Sequence, residues 1–214
     1  MADEGFSLTP VQSINPTTLE SMLRLYDQLY LAGFLSKKLP LLSVTLSSRL
    51  TSSAGKFLCV HGPFGRTKDA EIRMSSDFLL RLDKGPFSLN GLSVATPQEA
   101  FLVVFEHELC HALETVLFKK TGHTARFLSL ANGLFGHTAM HHSLPTRKQE
   151  AAKEGLYVGR RVSFFYQGIE LIGTITYIGK NATIMVPTSH GEYRDRFGRR
   201  YQKYRVSLEK LRIL

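Results

Sequence analysis

The sequence predicts an α+β fold in two parts. Residues 1–145 are expected to form a helical domain with a small antiparallel sheet, and residues 146–214 a small all-β barrel. Two observations predict this division. Apolar residues recur with a helical period in the first part, whereas from Gly159 onwards they form short runs separated by turn residues. The segment between the parts, residues 143–148, is polar and broken by a proline, which is typical of a domain boundary.

The first part is predicted to begin with scaffold elements. Asn15 and Pro16 start a helix, because Pro suits the first helical position. One face of that helix is apolar and is expected to be core; it comprises Leu19, Met22, Leu23, Tyr26, Leu29 and Tyr30. Strands are expected at residues 44–48, 56–61 and 71–76, with the last as a candidate exposed sheet edge.

A long buried helix is expected next. Thr96 is a good N-cap, Pro97 fits the first turn, and Glu99 completes a capping box. No Gly or Pro interrupts residues 98–121, and apolar residues cover most of the helix circumference, which indicates burial. Gly122 is expected to end this helix.

This helix carries the motif H-E-x-x-H at residues 107–111. Histidines at i and i+4 lie on one helix face, so His107 and His111 can reach one ion, and Glu108 can act as general base towards water. Histidines and carboxylates inside a buried helix are costly unless they are paired or bound to metal. The motif therefore predicts a zincin-type metallopeptidase with one catalytic Zn²⁺; the alternative is a core helix whose histidines are satisfied by hydrogen bonds.

A catalytic zinc usually has three protein ligands, so one more is needed. His123 follows the expected turn at Gly122, and a returning helix from Thr124 would bring it back towards His111. We therefore predict His123 as the third ligand. The alternatives are His137, His141, His142 and Glu114.

The order of these segments resembles the SprT-like (Spartan-type) metalloprotease domain over roughly residues 19–142. The resemblance is carried by Leu25-Tyr26-Asp27, Ala54-Gly55-Lys56, Glu71–Ser75, His107–Ala112, Gly122-His123 and Phe127. It implies zinc binding by His107, His111 and His123, with Glu108 as catalytic base. It also implies cleavage of proteins crosslinked to DNA. The two cysteines exclude the four-cysteine zinc ribbon that many of these proteins carry.

The charge of the chain is concentrated at its C-terminal end. Residues 1–150 hold 15 Lys and Arg against 13 Asp and Glu, whereas residues 151–214 hold 12 against 5. A net charge of +7 on the shorter segment suggests a polyanionic partner. The alternative is a solvated basic surface that only aids solubility.

The second part reads as strands joined by tight turns, at residues 162–166, 171–178, 182–186 and 204–206. This pattern weakly resembles an SH3-like or KOW-type barrel. A basic loop precedes the last strand, and its cations alternate with aromatic residues that can stack on bases or pack the barrel. The candidate nucleic-acid-binding residues are Arg194, Arg196, Arg199, Arg200 and Lys203.

The sequence thus predicts a zinc endopeptidase that acts on proteins bound or crosslinked to DNA. The alternatives are a zinc peptidase with no DNA role and a non-catalytic, zinc-containing nucleic-acid-binding protein. A membrane partner is not expected, because no apolar stretch approaches the ~20 residues that span a bilayer and the start resembles no signal peptide. Two cysteines favour a reducing compartment, so we expect the cytoplasm, or the nucleoid or nucleus if DNA is bound.

Overall fold

The computed structural model describes residues 14–62, 67–82, 86–140 and 144–214. The chain divides into two compact units, Met1–Leu144 and Pro145–Leu214. The predicted α+β class is confirmed, because helices and a small sheet come first and an antiparallel, sheet-rich unit follows. None of the described helices is both long and apolar enough to cross a lipid bilayer.

The described part of the first unit contains five helices. They are α1 (Pro16–Leu31), α2 (Phe34–Lys38), α3 (Ser76–Arg81), α4 (Pro97–Phe118) and α5 (Ala125–Phe135). Asn15 caps α1 by accepting a hydrogen bond from the Thr18 backbone N–H at 2.9 Å. The predicted capping box of α4 is confirmed, since Thr96 accepts from the Glu99 N–H and Glu99 accepts from the Thr96 N–H.

Helix α4 is the centre of this unit's hydrophobic core. Its Phe105 and Leu109 are fully buried, in one cluster with Leu19 of α1 and the sheet residues Ile72 and Met74. Full burial of such a side chain stabilises the fold by roughly 1.5–3 kcal/mol. The residues on α4 that carry chemistry are therefore held on a rigid element.

The sheet of the first unit contains β1 (Leu42–Ser47), β2 (Gly55–His61) and β3 (Thr67–Ser75), in the order β1-β3-β2. β3 pairs antiparallel with β2 but parallel with β1, so the sheet is mixed and not antiparallel as predicted. The prediction that residues 71–76 form an exposed edge is wrong, because β3 lies between two strands. β1 and β2 form the two edges of the described sheet instead. The crossover that brings β1 beside β3 decides this order, and crossovers leave no local pattern in a sequence.

A small hairpin was not anticipated from the sequence. Strands β4 (Phe87–Leu89) and β5 (Leu92–Val94) pair through a two-residue turn formed by Asn90 and Gly91. Both turn residues have positive φ, at 49° and 81°. Asn-Gly is the commonest sequence for such a turn, and this was the signal that could have revealed the hairpin.

The second unit contains α6 (Arg147–Lys153) and a six-stranded antiparallel sheet in the order β11-β6-β7-β8-β10-β9. Its strands are β6 (Arg161–Tyr166), β7 (Ile169–Ile178), β8 (Asn181–Pro187), β9 (Tyr193–Arg194), β10 (Arg200–Ser207) and β11 (Arg212–Ile213). No pairing between β9 and β11 closes the described sheet into a barrel. The sheet nevertheless curls, because the rings of Tyr166 on β6 and Tyr204 on β10 lie 5.1 Å apart although these strands do not pair.

Candidate metal centre and active site

Three histidine side chains converge at the surface of α4. His107 and His111 lie on one face of the helix, and His123 approaches them from the turn before α5. The Nε2 atom of His123 lies 2.9 Å from that of His107 and 3.2 Å from that of His111. Among the described residues, these three form the group that could hold a metal ion.

The arrangement of these nitrogens fits zinc. Tetrahedral ligands 2.0–2.1 Å from zinc stand roughly 3.3 Å from one another, which is close to the observed separations. His107 is buried whereas His123 is exposed, so the group opens to solvent on one side. Three protein nitrogens leave one position for water or substrate, as in catalytic rather than structural zinc sites.

The protonation state of His111 also suits a ligand. Burial, together with the nearby His123, lowers the pKa of His111 to about 4. The imidazole is therefore neutral near pH 7, and the neutral form is the one that binds metals.

Glu114 brings His123 back towards the helix. The helix ends at Phe118, earlier than predicted, and Lys119 rather than Gly122 takes the left-handed capping position with φ 55°. The buried carboxylate of Glu114 accepts hydrogen bonds from the Gly122 N–H at 3.0 Å and from the Thr121 hydroxyl at 3.4 Å. These bonds hold the turn against the last part of α4.

The alternative ligands are placed differently. Glu114 organises the turn, as described above, and His137 directs its Nε2 atom at Glu106 Oε2, 3.0 Å away. His141 and His142 lie outside the described residues. Cys110, which lies between the two motif histidines in sequence, is fully buried with Phe127 and Ala131, and burial raises the pKa of its thiol.

Glu108 is buried beside the three histidines. Its carboxyl group accepts a hydrogen bond from the Phe57 backbone on β2, yet burial dominates and raises the pKa of Glu108 to about 7. A carboxyl group with a pKa near the working pH is well suited to proton transfer. The close approach of β2 requires Gly55, because a Cβ at that position would lie 2.7 Å from Cγ of Glu108.

A cavity of about 380 Å³ lies in front of these side chains. One side is formed by β2 and the residues before it, and the other by α4 and the His123 turn. The lining residues are Ser53, Gly55, Lys56, Phe57, His107, Glu108, His111, Thr121, Gly122, His123 and Met140. An edge strand thus borders the cavity directly beside Glu108.

Sequence reasoning missed two residues that contact the histidines from behind. The Thr121 hydroxyl lies 2.8 Å from Nδ1 of His111, and the Asn90 amide lies 3.2 Å from Nδ1 of His107. Asn90 could have been found through its Asn-Gly turn, whereas nothing near Thr121 distinguishes it from a surface threonine.

The predicted nucleic-acid-binding residues lie together on the β9–β10 hairpin of the second unit, and all five are exposed. Arg194 and Arg200 are direct cross-strand neighbours. Arg199 donates to Asp195 at 2.8 Å, and Nζ of Lys203 lies 4.6 Å from the centre of the Tyr193 ring. The five cations therefore lie on one hairpin, and Arg199 and Lys203 contact other residues of that hairpin.

A groove also lies between β6 and β10 of the second unit, with a volume of about 540 Å³. The aromatic residues Phe165 and Tyr166 on its wall are exposed. Three cations, Lys203, Arg205 and Lys210, line the same groove, and none of the described lining residues is a carboxylate.

A comparison with known protein families matches residues 19–148 to the SprT-like family. The chain belongs to the SprT-like family. The match runs from α1 into α6 and includes all three histidines of the metal group. A search of curated proteins found no match. Membership in the family indicates a metallopeptidase-type domain, and the three-histidine group could hold its metal.

Proposed function

We propose that this chain is a zinc-dependent endopeptidase of the SprT-like family. The observation that carries the proposal is the convergence of His107, His111 and His123 beside a buried Glu108 on a solvent-open cavity. A purely structural metal site would instead be closed by a fourth protein ligand.

The role of each residue follows from its chemistry. His107, His111 and His123 would hold a zinc ion, which would supply Lewis-acid chemistry and a water of lowered pKa. Glu108 takes a proton from the attacking water and delivers it to the amine that leaves. The hydrogen bond from the Phe57 backbone orients the Glu108 carboxyl group for both transfers.

The substrate is an extended protein segment that pairs with the outer edge of β2. In the described part of the sheet, β2 has a strand partner only on its β3 side. Backbone pairing at a free edge binds an extended chain with little dependence on its side chains. Such a segment would pass directly in front of Glu108, because Gly55 and Phe57 of β2 line the cavity.

We further propose that the substrates are proteins bound or crosslinked to DNA, and that the second unit, to whose curled sheet we assign an SH3-like identity, binds the nucleic acid. The exposed cations of the β9–β10 hairpin can contact phosphates, and the exposed aromatic rings in the groove between β6 and β10 can stack on bases. The net charge of +7 on residues 151–214 favours the same partner.

A cleavage assay on a DNA-bound protein, with and without DNA, tests the proposal. Wild type should cleave the protein, and Glu108→Gln should keep its zinc while its activity falls at least ~10²-fold, the low end for a general base. Equal activity in both proteins would contradict the assignment of Glu108.

The two alternatives give different results in the same assay. Cleavage at the same rate with and without DNA indicates a peptidase without a DNA role. Zinc and nucleic-acid binding without any turnover by wild type indicates a non-catalytic binding protein.

A further inference from the structure

We propose that Asn90 positions His107 for metal binding by accepting a hydrogen bond from its Nδ1–H. The inference rests on the proposed function, since it takes Nε2 of His107 as the metal-binding atom. That Nε2 faces His123, whereas Nδ1 on the other side of the ring faces the Asn90 amide at 3.2 Å. Histidines that bind metals usually donate from their second nitrogen to a fixed acceptor, and loss of that acceptor weakens metal binding.

The protons of the imidazole decide which end of the amide must face His107. A neutral imidazole that binds an ion through Nε2 carries its proton on Nδ1, so Asn90 must present its only side-chain acceptor, Oδ1. In the structure Nδ2 is the nearer end, and Oδ1 is buried with no hydrogen-bond partner in the described part of the chain. The two ends of an amide are nearly isosteric. A half-turn of the amide gives Oδ1 a partner and His107 an acceptor, and it moves Nδ2 to the buried position that Oδ1 now occupies.

A buried group of polar side chains lies behind the amide. Nδ1 of His137 lies 3.4 Å from the same amide nitrogen, and its Nε2 lies 3.0 Å from Glu106 Oε2. The other carboxylate oxygen of Glu106 accepts from the Tyr26 hydroxyl at 2.9 Å. A neutral His137 carries one ring proton, which Nε2 donates to Glu106, so after the half-turn only His107 donates to Oδ1. The contacts link His107 to the scaffold helix α1.

The β4–β5 turn fixes the backbone of Asn90. The Asn90 carbonyl accepts from the N–H groups of Thr138 and Ala139, both at 2.9 Å. A Cβ at Gly91 would lie 1.9 Å from Oγ1 of Thr138, so only glycine permits this contact. The hairpin is thus packed against the segment that follows His137, and it places a 1%-exposed amide against a metal ligand.

Two substitutions separate an acceptor role from a packing role. Asn90→Gly removes the amide and keeps the positive φ of the turn without strain. Asn90→Asp keeps an acceptor and removes the donor. Zinc affinity is measured by competition with a chromophoric chelator, the Co²⁺ complex by its visible spectrum, and folding by circular dichroism and Tm without metal.

We expect zinc affinity to fall roughly 10–100-fold in Asn90→Gly, the usual effect of losing such a contact, with an altered Co²⁺ spectrum. Asn90→Asp should bind zinc about as tightly as wild type. If a folded Asn90→Gly binds zinc as tightly as wild type, the acceptor role is wrong. It is also wrong if the zinc affinity of Asn90→Asp falls by the roughly 10–100-fold expected for loss of the acceptor. The Asn90→Asp measurement tests the acceptor role even if Asn90→Gly does not fold. Absence of zinc binding by wild type would instead overturn the proposed function itself.

Discussion

The metal group of the first unit and the β9–β10 hairpin of the second show two ways of arranging charged and polar residues. Around the metal group, Glu106, Glu108 and Glu114 are largely buried, and the last two are hydrogen-bonded to backbone groups. On the hairpin, the five cations are exposed. Removal of one buried partner leaves another unsatisfied, whereas an exposed cation contributes independently and weakly. Substitutions in the first region should therefore have large, specific effects, and those in the second small and additive ones.

The largest effect is expected at the third ligand of the metal group. His123→Ala should lose most of the zinc, because two imidazoles and water hold the ion much less tightly than three. His137→Ala should keep about one zinc per chain at saturating metal, because His137 does not reach the ion. Metal analysis of the purified proteins measures both. Full zinc retention in His123→Ala would mean that the third ligand lies elsewhere, with His141 and His142 the next candidates.

A smaller effect is expected at Thr121, which lies behind His111. Thr121→Val keeps the shape of the side chain and removes the hydroxyl that joins His111 to Glu114, so zinc affinity should fall roughly tenfold. Thr121→Ser keeps the hydroxyl and should resemble wild type. Chelator competition measures both variants. Equal affinities in the valine and serine variants would show that the hydroxyl does not support His111.

The smallest effect is expected on the hairpin. Arg194→Ala with Arg200→Ala removes two cross-strand neighbours and spares Arg199, which is bonded to Asp195 within the turn. DNA affinity should weaken, and the dependence of log affinity on log salt should flatten by roughly 0.7–0.9 per lost phosphate contact. Zinc content should not change.

A charge-matched control distinguishes a local contact from the overall charge. Lys153→Ala with Lys180→Ala removes the same charge from exposed positions of the same unit. The salt dependence of DNA binding by this double variant should stay close to that of wild type. If both double variants flatten the salt dependence of DNA binding equally, the hairpin is not a specific site and the second unit binds DNA through its net charge.

Local patterns in the sequence were sufficient for much of the fold and for the metal group. The capping box at Thr96 and the helical spacing of His107 and His111 each depend on neighbours within a few residues, and the structure contains both. The turn that returns His123 was expected from Gly122, but Lys119 ends the helix instead. The SH3-like identity of the second unit and its DNA partner stay predictions, since the family match ends at residue 148.

The sequence by itself determined which residues can bind a metal, because ligand chemistry and helical period are properties of the chain. What surrounds those residues depends on tertiary packing. Strand order placed β2 rather than β3 at the sheet edge beside Glu108. Packing of the β4–β5 turn brought Asn90 to a histidine 17 residues further along the chain. Such contacts join residues distant in sequence, and they depend on how buried elements pack rather than on any local pattern.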